Sequence, residues 1–133
     1  MASISAVRGF GIDLVYLPRI DALLKRNPVY RSKFSRRILH DVEFEKSKLL
    51  VDNHELHSIF LARCWSIKEA LYKSLDTKRQ VGFIMREWCT IDPAGGMPTI
   101  SGSSLYDDEQ FFVSVTHDGE YLIAAVILGF ATP

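Results

Sequence analysis

A chain of 133 residues, 47% hydrophobic and 24% charged, has the size and composition of one globular domain, which excludes a disordered chain. Its formal net charge is zero and it shows no basic platform interleaved with aromatics, so nucleic acid is not an expected partner. No apolar run approaches the roughly 18 residues of a membrane span, no secretory signal is visible, and Cys64 and Cys89, without paired spacing, are expected as buried reduced thiols.

Residues 8 to 16 predict a strand, because Phe10, Ile12 and Leu14 alternate with Gly11, Asp13 and Val15. Asp13 then points away from Phe10. Aspartate is a poor strand residue, so a mid-strand position implies either a water-facing edge or a function. Pro18 suits the first turn of a helix with Ile20, Leu23 and Leu24 on its apolar side, ended by Asn27-Pro28. Tyr30 to Leu39 reads as a basic, aromatic-containing and partly helical segment. From Arg19 to Arg37 seven basic residues stand against one acid, Asp21, whereas Asp41 to Glu55 turns acidic. Asp41 is expected to cap a helix running to about Val51, with Asp52-Asn53 breaking it.

The central element is a helix predicted from His54 to Leu75. Leu61, Cys64, Trp65, Leu71, Tyr72 and Leu75 recur at helical spacing and make a wide apolar face. Glu69 and Lys73 are four apart, one above the other, with Trp65 one turn earlier. Glu69 is thus at the edge of the buried face, either as the solvated partner of Lys73 or as a carboxylate that needs a cation. Asp76-Thr77-Lys78-Arg79 reads as a polar turn, Phe83 to Ile91 as a strand, Asp92 to Pro98 as a dense turn, Thr99 to Ser101 as a short strand and Gly102 to Gln110 as a loop. Phe111 to Thr116 and Tyr121 to Leu128 are β-rich runs joined by an Asp-Gly hairpin, with His117 at its mouth. Both faces of the last run are apolar, so each needs cover. Strand, helices, then strands gives an α+β fold: an antiparallel sheet packed against helices in a single domain.

Three stretches carry a resemblance: Gly11-Ile12-Asp13-Leu14-Val15, Trp65-Ser66-Ile67-Lys68-Glu69-Ala70-Leu71-Tyr72-Lys73, and Val113-Ser114-Val115-Thr116-His117. In this order they resemble the 4′-phosphopantetheinyl transferases, in particular the short holo-acyl-carrier-protein synthase branch, from about Gly9 to Leu128. The resemblance implies transfer of the phosphopantetheine arm of coenzyme A to a serine of apo acyl carrier protein, with Mg²⁺ as cofactor and adenosine 3′,5′-bisphosphate as the second product. It implies Asp13 and Glu69 as magnesium ligands, Lys73 as the catalytic lysine near the phosphates, and Ser114 with His117 as the segment contacting the coenzyme A nucleotide. Two acids are enough for Mg²⁺, which takes one or two carboxylates together with substrate phosphates. Glu69, acting through a metal-held water, is also the expected base for the carrier serine. Arg19, six residues after Asp13, occupies the place of a carrier-contacting arginine, and Arg26, Arg36 and Arg37 extend that patch toward an acidic carrier.

The resemblance further implies a homotrimer with coenzyme A bound between subunits, and a cytoplasmic protein, or a mitochondrial one from a eukaryotic source. No membrane partner is expected. Departures from the pattern are Val15, where larger relatives carry another acid, and Trp65-Ser66, where short members often have small residues. Asp76 to Arg79 stands where short members have a Gly-containing turn, and neither Lys78 nor Arg79 is assigned a nucleotide contact. Two other readings stay open: a metal-dependent coenzyme A or nucleotide hydrolase, and a non-catalytic binding module using the basic face.

Overall fold

The computed structural model describes residues 4–102 and 104–131. The first alternating stretch forms β1, Ile4–Tyr16, longer at its start than the pattern predicts. It leads directly into α1, Leu17–Lys25, with Pro18 in the first turn, where a missing N–H costs nothing. Asn27 ends α1 and caps α2, Pro28–Ile38, its side chain accepting from the Val29 N–H at 2.8 Å. The central helix is α4, His54–Ser74, within a residue of its expected bounds.

β4, Glu109–Asp118, and β5, Tyr121–Ala131, form the hairpin. Its loop lies one residue further on than an Asp-Gly turn would place it. Asp118 pairs with Tyr121, so the loop is Gly119-Glu120. Gly119 has φ +58° and, among the described residues, no non-glycine residue has positive φ, the pattern of a type II′ turn. The Leu17 N–H donates to the Glu120 carbonyl at 2.8 Å and pins this turn to the start of α1. The main sheet is antiparallel in the order β1-β5-β4.

Several local expectations are corrected. His40, not Asp41, caps α3, Asp41–Ser47: its Nδ1 accepts from the Val42 N–H, and Glu43 reaches back to the His40 N–H. Asp41 sits inside the first turn, where its charge still favours the helix dipole. Residues Lys48–Leu50 tighten into a 3₁₀ turn, so the helix stops short of Val51. Asp76 to Arg79 is not an open turn, because Asp76 caps a short α5, Thr77–Val81. The strand expected from Phe83 shrinks to β2, Trp88–Ile91. Its partner β3, Thr99–Gly102, is only four residues long, and Phe83 instead packs among the rings of Tyr72 and Trp88.

Helix α4 divides the interior. Ile67, Ala70 and Leu71 pack on one side against Phe111, Val113, Ala124, Val126 and Leu128 of the sheet and against Trp88 and Ile100. Leu61, Ala62 and Cys64 pack on the other side with Val15 and the apolar faces of α1 and α2. Each fully buried Leu or Ile contributes about 1.5–3 kcal/mol. Both cysteines are free, and burial pushes the Cys64 thiol up to about 12, so it is inert packing.

Lys68 is fully buried, which periodicity did not foretell. Its ammonium donates to Glu43 at 2.5 Å and to the Ile38 carbonyl at 2.6 Å, while Glu43 also accepts from the N–H and hydroxyl of Thr90. This network ties α4 to α2, α3 and β2. No helix among the described residues is long and apolar enough to cross a membrane.

Candidate active site

The site is built where β1 crosses α4. Gly9, Gly11, Asp13 and Val15 face the helix. A Cβ on Gly11 would lie 1.8 Å from the Ala70 carbonyl oxygen, and one on Gly9 would lie 1.9 Å from that of Ser74. Only glycine allows this close approach, and it presses Asp13 against the turn of α4 that carries Ser66, Glu69 and Lys73. Asp13 is therefore no edge-strand acid in water: it is 8% exposed.

Each oxygen of Asp13 has its own partner. The Ser66 hydroxyl donates to Oδ2 at 3.0 Å. Lys73 Nζ donates to Oδ1 at 3.2 Å and to the Ile12 carbonyl at 3.0 Å. Lys73 thus pairs with Asp13, not with Glu69 on its own helix. Its side chain is 48% exposed, so it is free to turn toward a ligand. Burial is the main cause holding the half-buried Glu69 carboxyl above the ordinary carboxylate range; the negative charge of Asp13 adds to this, and Lys73 opposes it. Two carboxylates converging in partial burial make a place that favours a cation.

Among the described residues no cluster of three or more His, Cys, Asp or Glu side chains is placed to hold a metal. An all-protein cage is thereby lacking. The two all-oxygen donors Asp13 and Glu69 fit Mg²⁺, which completes its shell with phosphate and water.

His117 and Ser114 are not brought to this centre within the chain. His117 lies opposite Leu122 and is exposed, on a different strand from Asp13 and beyond it along the sheet. It borders a cleft of about 390 Å³ with Ile59, Arg63, Pro98 and Val113. Ser114, three positions earlier and in line with Ala125 and Ile12, lines the same cleft as His117.

Arg63 escaped the sequence reading. It sits on α4 beside the His117 cleft and makes a two-pronged ion pair with Asp92, at 3.0 and 3.2 Å. Its place before Trp65 was visible, but a partner 29 residues away was not.

Three of the four basic residues expected to meet a carrier gather in one groove. Arg19, Arg26 and Arg37 line about 460 Å³ together with Leu23, Tyr30 and Trp65. Arg36 stacks instead on Phe44, 4.7 Å from the ring centre, outside that groove. Arg79 is fully engaged: its guanidinium grips Glu109 at 2.6 and 2.8 Å, reaches Asp76 at 3.3 Å and covers the Tyr106 ring.

Comparison with known proteins gives the same family. The model of the 4′-phosphopantetheinyl transferase superfamily matches residues 9–126. A holo-[acyl-carrier-protein] synthase of Wolbachia sp. subsp. Brugia malayi is 31% identical over 129 residues, covering 96% of this chain and 99% of the relative. The corresponding protein of Bacillus velezensis is 32% identical over 120 residues, covering 90% and 93%. A crystal structure of a holo-(acyl-carrier-protein) synthase from Bacillus anthracis in complex with CoA (3′,5′-ADP) aligns with a TM-score of 0.74 at 26% identity, covering 93% of this chain and 97% of that one. The three motif stretches, the crossing of β1 on α4 and a family match over nearly the whole length lead to one statement: the chain belongs to the 4′-phosphopantetheinyl transferase superfamily.

Proposed function

We propose that this protein transfers the 4′-phosphopantetheine arm of coenzyme A to a serine of apo acyl carrier protein. The observation that carries this reading is the convergence of Asp13, Glu69 and Lys73 across the β1–α4 crossing, in a chain whose relatives are holo-acyl-carrier-protein synthases.

In the reaction the serine Oγ attacks the phosphorus that carries the pantetheine arm. The bridging P–O bond breaks, and adenosine 3′,5′-bisphosphate leaves with the bridging oxygen. Asp13 and Glu69 would hold Mg²⁺, which when bound neutralises the pyrophosphate and favours loss of the phosphate leaving group. Lys73 supplies a mobile positive charge for the phosphate oxygens. Glu69 would take the serine proton through an intervening water. The Arg19–Arg26–Arg37 groove, with its apolar floor, suits a small acidic carrier. His117 and Arg63 border the cleft assigned to the coenzyme A nucleotide.

A homotrimer belongs to this reading. The outer face of β1 leaves Phe10, Ile12 and Leu14 each more than half exposed, next to Ile123 and Ile127 of β5. A contiguous apolar sheet face of this kind fits a subunit interface. A neighbouring copy could then bring its own His117 cleft toward the Asp13 centre, which a single chain keeps separate. Light scattering that returns a fully active monomer would count against this part.

The reading is tested by incubating the protein with coenzyme A, Mg²⁺ and an apo carrier and following intact mass. Transfer adds the arm to the carrier. The rival hydrolase leaves the carrier unchanged and releases free phosphopantetheine, and a binding module leaves coenzyme A intact.

A further inference from the structure

We propose that Ser66 is a positioning residue for the Asp13 carboxylate: its hydroxyl grips Oδ2 from within α4 and so presents Oδ1 to the cation. This rests on the functional reading given above.

Of the other four buried helix serines of this chain, three show the ordinary arrangement, and the fourth, Ser58, accepts from Arg31 at 2.7 Å. A serine inside a helix normally returns its proton to a carbonyl one turn back. Ser35 donates to Arg31, Ser47 to Phe44 and Ser74 to Leu71 in this way. Ser66, 0% exposed, instead sends its hydroxyl across the helix–strand contact to Asp13 at 3.0 Å. A hydroxyl has one proton to give, so this donor is committed.

The two partners of Asp13 also differ in permanence. Lys73 is half exposed and tethered by a long flexible stem. A phosphate ligand competes with Oδ1 for the lysine, and a cation competes with the lysine for its place on Oδ1. Ser66 is locked in the core and stays. Torsion about the last bond of an aspartate side chain is broad and two-fold, so without a fixed donor the two oxygens exchange freely. A buried hydrogen bond to one of them removes that freedom, and the charge-assisted kind is the stronger kind. Partners of this sort behind a metal ligand typically set affinity by about 10- to 100-fold.

The test measures Mn²⁺ binding by electron paramagnetic resonance, with coenzyme A present and no carrier, corrected for Mn²⁺ held by coenzyme A alone. Thermal melts run in parallel on wild type, Ser66→Ala, Ser66→Cys and Asp13→Ala. Cysteine keeps the shape of serine and only a weak donor, so it carries the test if the alanine variant does not fold. The expected result is protein-bound Mn²⁺ in wild type, none in Asp13→Ala, and an affinity about 10-fold or more weaker in the Ser66 variants with melting close to wild type. Wild-type Mn²⁺ affinity in folded Ser66→Ala or Ser66→Cys, while Asp13→Ala loses binding, overturns the role of Ser66 and leaves the site reading intact. Absence of protein-bound Mn²⁺ in wild type overturns the site reading, and this proposal with it.

Discussion

Replacing Gly11 by alanine tests how the fold makes the site. The added methyl would sit 1.8 Å from the Ala70 carbonyl oxygen and 2.8 Å from its carbon. Both are helix backbone, so no side chain can swing aside. Real contacts of this kind begin near 3.0 Å, so β1 and α4 must part by about 1.2 Å. Overpacking of this sort costs about 1–3 kcal/mol, and a clash with two rigid backbones belongs at the upper end. For a domain of this size that is a fall in Tm of roughly 10 °C. The same parting stretches the 3.0 Å Ser66–Asp13 bond beyond hydrogen-bond range. Misplacing a reacting group by about 1 Å costs on the order of 100-fold in rate. Thermal melts and steady-state transfer are the assays, with Gly82→Ala as control, since a methyl there meets nothing within 4 Å. A Gly11→Ala protein that melts within about 2 °C of wild type and keeps more than about half its activity would refute the argument, because neither the overpacking cost nor the rate cost of misplacement would then apply to this contact.

Lys68→Met should cost about 3–5 kcal/mol in a denaturant melt, because it leaves Glu43 charged and unpaired in the core; Lys68→Met with Glu43→Gln should recover part of that loss. His57 is held below its ordinary range, first by burial and then by Arg31 and His54, and its Nδ1 faces the Arg31 guanidinium at 2.6 Å. The unfolded chain therefore binds a proton that the folded one refuses, and stability present above the unfolded value near pH 6.5 falls as pH drops toward the folded one. Wild type should lose more Tm than His57→Gln between pH 7.5 and 5.5, and equal losses would contradict this. Arg19→Glu should raise KM for the carrier several-fold and leave KM for coenzyme A unchanged, with the difference shrinking as salt rises; parallel changes in both would remove Arg19 from the docking face.

The strand of Asp13 and the helix of Glu69 were both legible, because each obeys its period and because aspartate in the middle of a strand is costly without a reason. The carbonyl that Gly11 rests against, and the partner of Lys73, were not. The four-residue spacing of Glu69 and Lys73 suggests a pair on one helix, but Asp13, 60 residues earlier in the chain, takes the lysine. Nothing in the local sequence marks Lys68 as a buried charge. It is buried because Glu43 and the Ile38 carbonyl arrive from other elements, which no local pattern encodes. Likewise the clamp of Arg79 on Glu109 joins residues 30 apart, while Asp76 caps what reads as a loop into a short helix. Ser114 and His117 are grouped by a shared motif, and both line one cleft, whose other walls, Ile59 and Arg63 of α4 and Pro98, no local pattern encodes.

The central claim is that Asp13 and Glu69 form one cation-dependent centre for transfer. The direct measurement is kcat/KM for arm transfer by wild type, Asp13→Ala and Glu69→Ala, each folded by thermal melt, across a Mg²⁺ titration to saturation. The account predicts Mg²⁺-dependent transfer by wild type and a loss of about 100-fold or more in each variant, equivalent to about 3 kcal/mol or more of transition-state stabilisation. Near-wild-type transfer by either folded variant at saturating Mg²⁺, or wild-type transfer undiminished by removal of all divalent cations, would contradict it.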